Sequence, residues 1–339
     1  MRINHVDTRR CKVRFSMKYL DPKNDIIFSF GVTSFDSPIS KYQGIVLVHM
    51  THYHLHTEDI VKYVSTLQHK YLVAENDLTQ NQYFKHYFPD IKYIYQLPLA
   101  ISSDRFKRAI PFKQRILKCF ASGSMSIPSS VSYTAYFGEG AALNPMRETI
   151  YQHKDELKDV IGVYIYPHNS AIKGLREIQA DDGFFSRFAK KYLPAWVLTG
   201  VLHYKLPFFS FDIVERYNQY TMFTSPEERT GLPSMKPLEG ILCGAVLVGI
   251  DDPMYTNIGF KDGVNYVAYK ENDLADLVRK IRHYQHHPEE LEKIAERGHE
   301  FTMAHFAPEK VLGTFWKDLE MLLNSFNKGN AKLRCSFFV

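Results

Sequence analysis

Two stretches of this chain, Gly44-Ile45-Val46-Leu47-Val48 and Ala245-Val246-Leu247-Val248-Gly249-Ile250, are apolar at every position. A strand with one wet face alternates apolar and polar residues. An unbroken apolar strand needs cover on both faces, which is the condition of a parallel sheet lying between helices. The neighbouring segments alternate accordingly. Asp25 to Phe30, Gly44 to His49, Tyr71 to Ala74 and Ile91 to Tyr95 read as strands. Thr57 to Gln68 has helical spacing in Ile60, Val61, Val64 and Leu67, with Thr57 as N-cap and Glu58 and Asp59 in the first turn. Leu78 to Phe88 reads as a second helix. This βαβα order predicts a parallel, doubly wound sheet.

The 339 residues suit two domains of ordinary size, and 45% hydrophobic with 23% charged residues excludes a disordered or fibrous chain. A net charge of +5 is too small to imply nucleic acid. Its distribution says more. Residues 1–108 hold 15 Lys+Arg against 10 Asp+Glu, and the remainder is neutral. Most of the excess lies within residues 2–23, which is either a solvated face or a surface meeting an anionic headgroup or lipid-linked phosphate. Cys11, Cys119, Cys243 and Cys335 are scattered, without metal-like spacing, so a reducing compartment is expected. The N-terminus has no apolar core of the signal-peptide kind. The longest apolar run, Gly240 to Ile250, is about half a membrane span. The expectation is a cytoplasmic protein, held at most to a membrane surface.

The prolines and charges of Leu97 to Gln114 suggest an interdomain linker. A second sheet is expected to start at Arg115 to Ala121, with Ser122-Gly123-Ser124 as a tight turn. Residues 126–145 read as a long ordered loop. Further elements are a helix from Pro145 to Leu157, a strand from Ile161 to Tyr166 and a helix from Asp182 to Tyr192. Near the end, Asp273 to His283 is an amphipathic helix, Pro288 opens another that Gly298 ends, and Pro308 opens a third to about Phe326. The expected division is 1–108, 109–307 and a terminal helix and tail, 308–339, crossing back to brace the first domain.

The most informative segment runs from Tyr220 to Ile250. Two strands, Tyr220 to Thr224 and Ala245 to Ile250, flank a loop to Pro233 and a short helix, with Ser234 as N-cap and Gly244 as the residue past its end. In a parallel sheet such a helix begins at the carboxyl edge, where free N–H groups face a phosphate. Lys236 adds charge toward a diphosphate, and Glu239 is placed to accept from ribose hydroxyls.

Ser225-Pro226, Gly231-Leu232-Pro233, Leu238-Glu239-Gly240-Ile241-Leu242-Cys243-Gly244 and Ala245 to Val248, continued by Gly259 to Tyr266, resemble the C-terminal domain of GT-B glycosyltransferases, in particular glycosyltransferase family 4. Residues 70–125 and 205–320 share the likeness. It implies two Rossmann-like domains facing a cleft, the first one short. The activity it implies is retaining, metal-independent transfer of a sugar from a nucleotide-diphosphate donor to a glycan or lipid-linked acceptor, with no cofactor besides the donor. By the same resemblance the nucleotide-sugar site comprises Gly123, Ser124, Gly231, Ser234, Lys236, Leu238 and Glu239, with Arg147 and Lys173 as candidates for the diphosphate. The family's paired glutamates stand eight residues apart, but here Gly231 precedes Glu239 by eight and Glu227 and Glu228 lie further upstream.

His49, His52, His54 and His56 follow an apolar strand at the edge facing the expected cleft. In an extended chain His52, His54 and His56 share one face, although no Cys or acidic ligand is spaced to complete a metal site. A cleft histidine orients an acceptor hydroxyl or the donor sugar in related transferases, which points to His49 and His52, with Glu228, as the catalytic set. Plain loop histidines are the alternative. A nucleotide-sugar epimerase and a non-catalytic nucleotide-sugar or glycan-binding protein are the rival functions.

Overall fold

A computed structural model describes residues 20–30, 39–128, 130–167, 211–225, 229–329 and 336–337. Glu228, Lys173, the helix expected at Asp182 to Tyr192 and residues 2–19 of the basic segment lie outside them. The first sheet contains β1 (Ile26–Phe30), β2 (Ile45–His49), β3 (Lys70–Ala74) and β4 (Tyr95–Gln96), hydrogen-bonded in that order. Every pairing is parallel, with His49 opposite Val73 and Val73 opposite Tyr95. Right-handed crossovers between strands in sequential order fall on one face. There α1 (Thr57–Thr66) and α2 (Gln82–Tyr87) pack on Val46, Val48, Leu72 and Ala74 through Ile60, Val64 and Phe84.

Two local expectations change. Thr57 does not cap α1. Its hydroxyl donates to the Tyr53 carbonyl and lies 2.8 Å from the Tyr83 hydroxyl, buried among side chains. Leu78 to Phe88 is not one helix, because the Asn81 side chain accepts from the Phe84 N–H and starts α2 after a 3-10 turn at Leu78–Gln80.

The second sheet holds β5 (Ile116–Met125), β6 (Ile161–Pro167), β7 (Tyr220–Thr224), β8 (Val246–Ile250) and β9 (Val267–Tyr269). Its order is β6-β5-β7-β8-β9, all parallel. The chain leaves β5 on one side for β6 and returns on the other for β7, so the order reverses between β5 and β7. Its helices are α4 (Pro145–Gln152), α5 (Ile213–Gln219), α6 (Lys236–Leu242), α7 (Pro253–Thr256), α8 (Leu274–His286) and α9 (Pro288–Phe306), whereas α3 (Val131–Phe137), on the β5–α4 connection, packs through Tyr133 in the first domain's core.

Ser122-Gly123-Ser124 is strand rather than turn, since β6 continues the ladder opposite Tyr164, Ile165 and Tyr166. The expected loop at 126–145 contains α3, capped by the Ser130 hydroxyl. Gly298 does not end α9. It lies inside the helix, where a Cβ would come 2.8 Å from the Asn265 carbonyl, so the glycine serves close approach of helix and loop.

The second face of the first sheet is covered from the far end of the chain. In α10 (Pro308–Asn327), Phe315, Leu319 and Leu322 pack on Ile45, Leu47, Val73 and Tyr95. The buried Asp318 carboxylate accepts from the Tyr95 hydroxyl at 2.7 Å and from the Ser336 hydroxyl and N–H. Alternate residues of β2 therefore enter different cores, Val46 and Val48 under α1 and Ile45 and Leu47 under α10. That is the physical origin of the unbroken apolar run.

Candidate functional site at the carboxyl edges of the two sheets

In an open parallel sheet the crevice for a ligand opens outside the carboxyl ends of the strands where the order reverses. Here that place is the end of β5 beside β7. Gly123 and Ser124 lie on the last turn of pleat in β5, and the loop leaving β7 leads into α6. Two cations reach this end of β5. Lys236 Nζ donates to the Ser122 carbonyl at 3.2 Å, and Arg147 Nη1 donates to the Ser124 carbonyl at 3.0 Å. Gly123 makes room for the second of these, because a Cβ there would fall 2.8 Å from Arg147 Nε.

The start of α6 differs from expectation. Met235, not Ser234, is the N-cap residue, and no side chain caps the helix. With Ser234 as cap, the third helical residue would be Pro237, which has no N–H to offer. The Ser234 hydroxyl instead lies 3.3 Å from that of Ser225. With seven residues α6 supplies little dipole, so side-chain charge carries the local electrostatics. Leu238 is buried and anchors the helix. Glu239 is half-buried, and burial raises its carboxyl above the ordinary value against the pull of Lys236 and Arg105. At the other end Gly244, at φ 85°, closes the helix as foreseen, with its N–H on the Ile241 carbonyl and that of Ala245 on Gly240.

Opposite stands the carboxyl edge of the first sheet. His49 ends β2, and its Nε2 is 3.7 Å from Glu75 Oε1, just past β3. Burial pushes the His49 imidazole down to about 4, so it is neutral at physiological pH. Glu75, Pro98, Ser234, Pro237 and Leu238 border a void of about 10 Å³, the volume of a water site.

His52, His54 and His56 do not share a face. The chain turns through a 3-10 segment, Tyr53–Leu55, leaving His52 exposed at φ 51° and His54 buried against Tyr133. Among the described residues no three His, Cys, Asp or Glu side chains are placed to hold a metal ion. The structure thus brings Lys236 and Arg147 to Gly123 and Ser124 at one edge, keeps Leu238 and Glu239 in α6 with Glu239 near Lys236, leaves His49 beside Glu75 at the end of β2, and leaves His52 on the surface. Gly231 and Ser234 lie in the loop between.

Sequence reasoning missed that this loop is held by the first domain. The carbonyls of Arg229, Thr230 and Gly231 accept from Asn81 Nδ2 at 3.0 Å, the Tyr53 hydroxyl at 3.0 Å and Asn76 Nδ2 at 3.4 Å. Leu232 is buried in the first domain's core. Polar residues directly after two apolar strands, Glu75-Asn76 above all, were the available signal.

Residues 191–317 match the family model described as "Glycosyl transferase-like". The match takes in β7 to β9 and the helices from α5 into α10, and leaves out β5 and β6. No curated protein matches the chain in sequence. Among solved structures, HepE from Anabaena in complex with UDP and glucose matches with TM-score 0.52 and 10% identity over 83% of this chain and 73% of that one. An alpha-glucosyltransferase in complex with UDP-glucose and abasic DNA matches with TM-score 0.50 and 11% identity, covering 87% and 80%. These likenesses show the fold, the GT-B arrangement of two parallel-sheet domains. Among the described residues no helix is long and apolar enough to cross a membrane.

Proposed function

We propose that the chain transfers a sugar from a nucleoside-diphosphate donor, bound at the β5–β7 edge of the second domain, to an acceptor hydroxyl presented by the first. The observation that carries this reading is the arrival of Arg147 and Lys236 on carbonyls two residues apart at the end of β5, beside a glycine that leaves space for one of them. Two fixed cations at a strand-order reversal are suited to a diphosphate, whose charge grows as the sugar departs. Glu239 takes the ribose hydroxyls. Neutral His49 accepts or donates a single hydrogen bond to a sugar or acceptor hydroxyl without placing a second charge in the gap. Transfer proceeds with retention and without a metal ion. A lipid-linked acceptor suits the basic residues 2–23.

HepE and the alpha-glucosyltransferase were solved with UDP or UDP-glucose, so UDP-sugars head the panel to be tried, with GDP- and ADP-sugars after them. Release of nucleoside diphosphate, with or without an added acceptor, is the expected result. Thermal stabilisation without turnover would mark a binding protein, and a new sugar nucleotide without transfer an epimerase. If no nucleotide binds, the reading is wrong. The anomeric proton of the first-formed product, followed by NMR, decides retention.

A further inference from the structure

The three consecutive carbonyls held across the domains have a consequence for the site itself. Arg229, Thr230 and Gly231 belong to the segment that leads into α6, yet none of their bonds to Asn81, Tyr53 and Asn76 comes from their own domain. The donors are fixed by the first sheet. Tyr53 follows β2 and is wholly buried against Tyr83, Phe84 and Phe88. Asn76 follows β3, and Asn81 is held by its own bond to the Phe84 N–H. Leu232 adds an apolar plug from the second domain to the first domain's core. The loop also meets the β5–α4 connection, with the Arg229 N–H on the Leu143 carbonyl and the Arg229 guanidinium 5.3 Å above the Phe137 ring. Gly231 has φ 75° and lies so near Asn81 that a Cβ would come 3.0 Å from its Nδ2.

We propose that Tyr53, Asn76 and Asn81 are positioning residues for transfer: from the acceptor-side domain they fix the backbone at 229–231, so the nucleotide-sugar site takes its working shape only while the domains are together. This inference rests on the donor site proposed above. A contact made in the closed, reacting arrangement and absent from the open one lowers the barrier to transfer rather than the dissociation constant of the donor.

Tyr53→Phe removes only a hydroxyl, and Asn81→Asp keeps the oxygen that caps α2 while removing the N–H donor. The double variant of the full chain is compared with wild type in three ways: hydrogen exchange of the 229–235 peptide, affinity for UDP, GDP and ADP, and kcat and KM for cleavage of the matching sugar nucleotides. Expected are exchange at 229–235 faster by about tenfold, kcat lower by roughly tenfold, and nucleotide affinity and KM within about twofold. Unchanged exchange, unchanged kcat despite faster exchange, or a joint fall of kcat, affinity and melting temperature each overturns the proposal. Should the double variant not fold, each single variant carries the same expectation with a smaller change. A wild-type chain that binds no nucleotide defeats the donor reading, while the exchange measurement still decides whether the bonds hold the loop.

Discussion

At His49 and His54 burial sets both the charge and the pH response. Each imidazole is pushed from about 6.5 down to about 4 by loss of solvent, with the charges of His52 and His56 adding to the effect at His54. Between those values the unfolded chain binds protons that the folded chain refuses, so stability is complete above pH 6.5 and falls as the pH drops toward 4. The loss amounts to on the order of 3 kcal/mol per histidine. The melting temperature should decline from pH 7 to pH 5, and His54→Gln should flatten that slope; an unchanged slope would remove His54 as its source. For Glu239 the expectation concerns affinity. Glu239→Ala should weaken nucleotide binding roughly tenfold or more, measured by calorimetry, because a carboxylate accepting from ribose is a charge-assisted bond.

Among the elements, α6 and α9 show how close packing decides what a glycine is for. Periodicity and Pro288 announce α9, and a glycine in the sequence reads as its stop. Yet Gly298 has no positive φ and its helix runs on to Phe306; the glycine is needed because the Asn265 carbonyl occupies the space of a side chain. Gly298→Ala should therefore destabilise the protein by about 1–3 kcal/mol in urea unfolding, although alanine is the better helix former. A neutral or stabilising result would show that the loop moves aside freely. Gly244 is the converse case. It has a positive φ and an end-of-helix bond pattern, both legible from its place after an apolar helix. Ser234 was misread for a similarly local reason, since a proline three residues on removes the N–H that its hydroxyl would have met.

Across the whole molecule, the first sheet depends on a helix more than two hundred residues away in sequence. Phe315 packs edge-on against Phe28 at 5.9 Å and beside Tyr95 at 5.7 Å. Phe315→Ala should cost about 3–5 kcal/mol and lower the melting temperature of the entire chain. A two-step transition in that variant would instead show the two sheets melting independently. The amphipathic spacing of α10 was plain in the sequence, but which sheet it would cover was not.

The apolar runs, their helical intervals and the strand–loop–helix–strand passage at 220–250 come from local patterning, and such patterning is sufficient for fold class because one- and two-sided burial leave different periodicities. Chain order alone also pointed to the carboxyl edge that Lys236 reaches. Tertiary structure decided the rest. It set Arg147 beside Gly123, brought His49 within 3.7 Å of Glu75, turned the histidine run out of extension and bound 229–231 to the first domain. Each of these joins residues distant in sequence, and their distances depend on how two sheets pack, a quantity that no single stretch of chain encodes.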